Sequence, residues 1–217
     1  MFKKKINIAI IGATGYVGLD LVYLLSQHPK VDIKYLCAKR NIGKSIKYFD
    51  SRIKKKLPKI SNINSISCKK INVIFLSLPN GEAQKIIKKN IKYNHLRFID
   101  LSADFRINNV HNYKYWYKKK HLAKELVSKS LYSISEFVKQ DIKKFRIISN
   151  PGCYPTSIQL ALIPLIKKRL IKLKNIVIDS KSGYSGAGKN YKKKFSHKNP
   201  SDSVFAYGIK KHRHMSE

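Results

Sequence analysis

The chain has 217 residues, enough for one large domain or two small ones, and 43% of them are hydrophobic, which supports a packed core and excludes wholesale disorder. Its net charge is +34, but the lysines are scattered through every kind of segment and no nucleic-acid-binding motif accompanies them. The charge is therefore read as compositional, with a basic nucleic-acid-binding protein as the lesser alternative, and as an aid to attracting an anionic substrate and cofactor.

Ile6 to Ile11 is a near-continuous apolar run, as expected of a buried parallel strand. Gly12-Ala13-Thr14-Gly15-Tyr16-Val17-Gly18 follows, and then leucines and valines recur at helical spacing as far as His28-Pro29. Strand, glycine turn and helix together predict a dinucleotide-binding start, with backbone N–H groups at the helix N-terminus facing a pyrophosphate. A second strand is expected over Asp32 to Cys37, with Cys37 in the core. At its end, where NAD binders usually carry an acid, stands Ala38-Lys39-Arg40-Asn41. Lys39 and Arg40 suit a 2′-phosphate and favour NADP; the competing reading is a solvated basic turn.

Residues 43–70 read as a polar loop with short strands. Val73 to Leu78 predicts a strand ending at Pro79-Asn80-Gly81, Glu82 to Asn90 a helix, and Arg97 to Leu101 a strand leading into Ser102-Ala103-Asp104-Phe105-Arg106. Alternation of this kind implies a doubly wound parallel sheet, whose strand carboxyl ends bind ligands. Asn80-Gly81 and Ser102 to Arg106 are therefore candidate site loops. In Asn112 to Lys120, aromatic residues alternate with lysines; packing against the domain is preferred over stacking of nucleic-acid bases.

Asn150-Pro151-Gly152-Cys153-Tyr154-Pro155-Thr156 places a cysteine in a tight turn before an apolar helical pattern, Ile158 to Leu170. A sulfur at a helix N-terminus is favoured as thiolate, a nucleophile toward acyl carbons. The plainer reading of Cys153 is a buried apolar residue. Ile176 to Asp179 predicts a strand, and Ser180 to Lys189 a Gly/Ser loop whose backbone can contact anionic or amide groups. His212 and His214 are expected to act as a base for the cysteine and a substrate contact; a metal pair is less expected, because no third ligand is evident.

No apolar run approaches the roughly 20 residues of a membrane span, and Met1 to Lys5 lead straight into a strand, so neither a membrane segment nor a signal peptide is expected. Three cysteines (Cys37, Cys68 and Cys153) without close spacing exclude a disulfide framework and suggest a reducing, cytoplasmic compartment.

Together these residues resemble the N-acetyl-γ-glutamyl-phosphate reductase family, a relative of aspartate-semialdehyde dehydrogenase. The carriers are Gly12 to Gly18, Ala38 to Lys44, Leu76 to Gly81, Ile99 to Arg106, Asn150 to Thr156, Lys181 to Gly188 and His212 to His214. The resemblance implies a Rossmann NADP-binding domain over residues 1–148 and an incomplete α+β catalytic and dimerisation domain over 149–217. It implies reduction of N-acetylglutamyl 5-phosphate by NADPH through a thioester on Cys153, with aspartyl or carrier-bound aminoadipyl phosphate as alternative substrates. His214 is assigned as the proton-transfer group and His212 as a substrate contact. The implied cofactor set is Gly12, Thr14, Gly15, Tyr16, Val17, Gly18, Lys39, Arg40, Pro79, Gly81, Ser182, Gly183, Ser185, Gly186 and Ala187. Ser102, Asp104, Arg106, Asn150 and His212 are the implied substrate contacts, and no metal is implied. The family forms homo-oligomers and continues well past its His-Arg-His segment. Exposed apolar faces are therefore expected in residues 149–217, either because the sequence is a fragment or because the gene is truncated and its product is an inactive remnant.

Overall fold

The computed structural model describes residues 5–138, 142–189 and 204–217. The chain divides into two compact units, Met1–Asn150 and Pro151–Glu217.

In the first unit, seven strands form one parallel sheet. They are β1 (Ile6–Ile11), β2 (Val31–Cys37), β3 (Ile60–Ser61), β4 (Val73–Leu76), β5 (Arg97–Asp100), β6 (Ser130–Tyr132) and β7 (Ile147–Ser149), in the order β3-β2-β1-β4-β5-β7-β6. The chain leaves β1 toward β2 and β3 on one side and returns to β4 and β5 on the other. The crevice between β1 and β4 is thus the switch point at which such sheets bind ligands. Side chains of β1 alternate between two cores, as period-two geometry requires. Ile8 and Ile10 pack with Leu19 and Val22 of α1 (Tyr16–Gln27), while Ala9 and Ile11 pack with Ala83 and Ile87 of α2 (Ala83–Asn90). Cys37 is buried as expected, and burial raises its thiol pKa. β4 stops two residues before the expected Leu78, and the Ser77 carbonyl there approaches Gly12 at the crevice.

Helix α3 (Val110–Tyr117) buries Tyr113 completely, in keeping with the packing reading, while Tyr115 stays half exposed. The short helix α4 (Lys124–Val127) packs Leu126 into the core that contains β5.

The second unit contains helix α5 (Cys153–Lys167), which starts at the cysteine itself. The strand expected over Ile176 to Asp179 is absent. That segment pairs with no described strand, and Val177 is 92% exposed. An extended run becomes a strand only when a neighbour accepts its ladder of hydrogen bonds. Leu170, Leu173, Val204, Ile209 and Met215 are also largely exposed, as expected of this unit.

Candidate active site

In the first unit, the carboxyl edge of the sheet gathers the expected cofactor loops. Gly12 has φ +85°, and a Cβ there would lie 2.0 Å from the Ser77 carbonyl oxygen. A Cβ on Gly18 would lie 2.1 Å from the Gly12 oxygen. Both glycines are therefore demanded by the close approach of backbone to backbone. Gly15 is the N-cap of α1, in extended geometry. Glycine at the N-cap offers no side-chain cap and the first turn holds no acid, while Tyr16 and Val17 are 41% and 54% exposed. A glycine N-cap, a first turn without an acid and a backbone cradle fit the pyrophosphate of a dinucleotide. Lys39 and Arg40 stand exposed just past β2, and Pro79 and Gly81 just past β4.

Two expected substrate contacts have a different role. Asp104 is fully buried. Its Oδ1 accepts from Gly81 N (2.6 Å), Asn80 Nδ2 (3.0 Å) and the Tyr113 hydroxyl (3.0 Å), and its Oδ2 accepts from Gln84 N (3.1 Å). The carboxylate caps α2 from another loop and has no face toward a substrate. Ser102 is 5% exposed; its N–H donates to Asp100 and its Oγ accepts from Asp104 N. Arg106 donates from Nε to the Asn150 carbonyl (2.8 Å) and from Nη2 to the Leu101 carbonyl (3.2 Å), tying two site loops together. Asn150 is exposed, and its N–H donates to the Asp100 carbonyl.

His121 was not foreseen. It is 2% exposed, with Nε2 2.8 Å from the Asp104 carbonyl and Nδ1 accepting from Ala123 N. Burial lowers its pKa, so it serves as a neutral strut. Asp100 is fully buried; burial pushes its carboxyl up to about 7, against the Ser102 hydrogen bonds.

In the second unit, Cys153 is exposed at the first position of α5. The Tyr154 ring packs edge-on against His212 (5.4 Å between centroids) and His214 (5.8 Å), and the two histidines lie 4.7 Å apart. Tyr154 donates to Ser182 Oγ (2.9 Å) and accepts from the Tyr207 hydroxyl (2.9 Å). Gly183 caps the 3₁₀ turn Tyr184–Ala187, which contains Ser185 and Gly186. The unit therefore gathers Cys153, Ser182, His212 and His214, with Tyr154 and Tyr207 added.

The two histidines are not equivalent. His214 N donates to His212 Nδ1 (3.2 Å), which leaves the proton of a neutral His212 on Nε2. Burial, and then Arg213, lower the His212 pKa. His214 Nε2 lies 3.9 Å from Glu217 Oε1, whose other oxygen accepts from Gly152 N at 2.7 Å. Glu217 was not foreseen: His214 is three residues away, but Gly152 lies 65 residues back in the chain. Among the described residues, no cluster of His, Cys, Asp or Glu could hold a metal, and no helix is long and apolar enough to cross a membrane.

Residues 7–145 match the family model described as semialdehyde dehydrogenase, NAD binding domain. The chain belongs to the semialdehyde dehydrogenase family. Residues 153–217 match the semialdehyde dehydrogenase dimerisation domain. Among curated relatives, the chain is 41% identical over 215 residues to a probable chloroplastic N-acetyl-gamma-glutamyl-phosphate reductase of Oryza sativa subsp. japonica, covering 99% of this chain and 51% of the relative. It is 44% identical to the N-acetyl-gamma-glutamyl-phosphate reductase of Ehrlichia ruminantium (strain Gardel), covering 98% of this chain and 61% of the relative. The chain thus spans about half to three fifths of the length of these curated relatives. A solved structure of aspartate semialdehyde dehydrogenase II from Vibrio cholerae shares the fold, with TM-score 0.58 and 19% identity over 87% of this chain and 50% of that one.

Proposed function

We propose that this chain carries the cofactor-binding and nucleophile-bearing parts of an NADP-dependent N-acetyl-γ-glutamyl-phosphate reductase, a cytoplasmic enzyme of arginine biosynthesis. The observation that carries the reading is the exposed Cys153 at the head of α5, in one unit with the paired His212 and His214. The names of relatives at 41% and 44% identity support the substrate.

Gly12, Thr14, Gly15, Tyr16, Val17 and Gly18 would hold the pyrophosphate, and Lys39 and Arg40 the 2′-phosphate. The Cys153 thiolate attacks the acyl carbon of N-acetylglutamyl 5-phosphate. A C–S bond forms, the C–O bond breaks, and phosphate leaves with the electron pair. When bound, the reduced cofactor supplies a hydride to the thioester carbon. His214, oriented by Glu217, donates a proton to the resulting alkoxide and takes it back as the C–S bond breaks. The semialdehyde leaves and the thiolate is regenerated. Neutral His212 donates its Nε2–H to the substrate. Asp104, Ser102 and Arg106 hold the loops at the carboxyl edge of the first unit's sheet. The exposed apolar surface of residues 151–217 is covered by a second copy of the chain, in keeping with the name of the dimerisation domain.

The test is the reverse reaction, in which NADP reduction is followed with the semialdehyde and phosphate, with aspartate semialdehyde as the competing substrate. Cys153→Ala is expected to lower the rate by about a thousandfold or more. Activity that survives this substitution would refute the thioester route.

A further inference from the structure

Lys39 and Glu82 form an ion pair, with Nζ 3.8 Å from Oε2. Lys39 follows β2 and Glu82 follows β4, and β1 lies between those strands. Adjacent strands are about 4.8 Å apart, so the pair spans roughly 10 Å of sheet edge. It therefore reaches across the carboxyl end of β1, at the Gly12 to Gly15 turn. Glu82 has a second cation, because Lys85 Nζ lies 3.3 Å from its other carboxylate oxygen. The Lys39 side chain is 82% exposed, and a long, solvated ion pair is weak and readily exchanged. Lys39 is thus held beside the crevice by a carboxylate that has another partner to fall back on.

We propose that Lys39 exchanges Glu82 for the 2′-phosphate of an NADP-type dinucleotide, and that Glu82 sets the preference between phosphorylated and unphosphorylated cofactor. The inference rests on the cofactor reading given above. Before binding, Glu82 competes with the phosphate for the ammonium. Lys85 keeps the released carboxylate paired. NADH lacks the 2′-phosphate and gains nothing from the exchange.

Calorimetric titration of the full chain with NADPH and with NADH tests this in four proteins: wild type, Lys39→Gln, Glu82→Gln and the double variant, with circular dichroism as the control for folding. Lys39→Gln is expected to weaken NADPH binding by about tenfold and to change NADH binding by less than about twofold. Glu82→Gln is expected to tighten NADPH binding by about threefold, a gain that shrinks in the Lys39→Gln background. Equal effects on both dinucleotides, or unchanged NADPH affinity in Glu82→Gln, would overturn the exchange while leaving the cofactor reading intact. A wild-type chain that binds neither dinucleotide would overturn both.

Discussion

Helix α1 follows β1 through Gly12 at φ +85°, and helix α2 follows β4 through Gly81 at φ +95°. Both helices start at the carboxyl edge of one sheet, and neither has a side-chain cap from its own N-cap residue. Their first turns nevertheless differ. The first turn of α1 holds no acid, whereas the start of α2 is filled by Asp104, which arrives from the loop after β5. A helix N-terminus attracts an anion. At α2 that demand is satisfied by the protein's own carboxylate. Helix α5 resembles α2 in this respect, because Glu217 accepts from Gly152 N across 65 residues of chain.

Removing the internal anion should have the largest effect. Asp104→Ala leaves the N–H groups of Gly81 and Gln84 and the Tyr113 hydroxyl without their acceptor in a buried setting. A loss of about 3 kcal/mol is expected, read as a lower urea midpoint. A loss under about 1 kcal/mol would mean that the cap is dispensable.

Supplying α1 with such an anion is the converse experiment. Gly15 has φ −73° and ψ 166°, which an aspartate N-cap adopts without strain, and a Cβ there meets only the Gly12 oxygen at 3.4 Å. Gly15→Asp should raise stability by about 1 kcal/mol while weakening NADPH binding by tenfold or more, roughly. Melting temperature and a binding titration, taken together, distinguish this from simple misfolding, which would lower both.

A smaller effect separates Asp104 from its buried neighbour. Asp100 Oδ1 accepts from Ser102 N, while Oδ2 meets no hydrogen-bond partner among the described residues. Burial holds the folded carboxyl near 7, against about 3.9 in an unfolded chain. Between about pH 4 and 7 the folded state keeps a proton that the unfolded state has released, so this group's contribution to stability falls as pH rises. It is complete below about pH 4 and lost above about 7. Asp100→Asn should flatten that part of the profile in urea midpoints taken from pH 4 to 8, and an unchanged slope would sink the assignment.

Local signals made much of this legible. The β1 run and the leucine spacing of α1 gave bounds close to those observed, because the alternation of β1 between two cores and the one-sided packing of α1 are properties of neighbouring residues. The cysteine turn also read correctly, since glycine and proline shape the chain within a few residues. Ile176 to Asp179 failed for the opposite reason: an apolar tetrad specifies extended backbone but not the neighbour it needs. Asp104 was singled out as a contact for a ligand, yet its donors lie 9 to 24 residues away in sequence and leave no trace near it.

The sequence by itself determined the glycine crevice, the order of strand and helix in the first unit, and the sulfur at the head of α5. These follow from periodicity, turn chemistry and the helix start, which act over a single turn or strand. Only the tertiary structure decided that the start of α2 is capped from within, which nitrogen of His212 keeps its proton, and that Lys39 reaches Glu82 across β1. Each of those depends on a hydrogen bond or charge pair that exists only once strands or turns settle side by side.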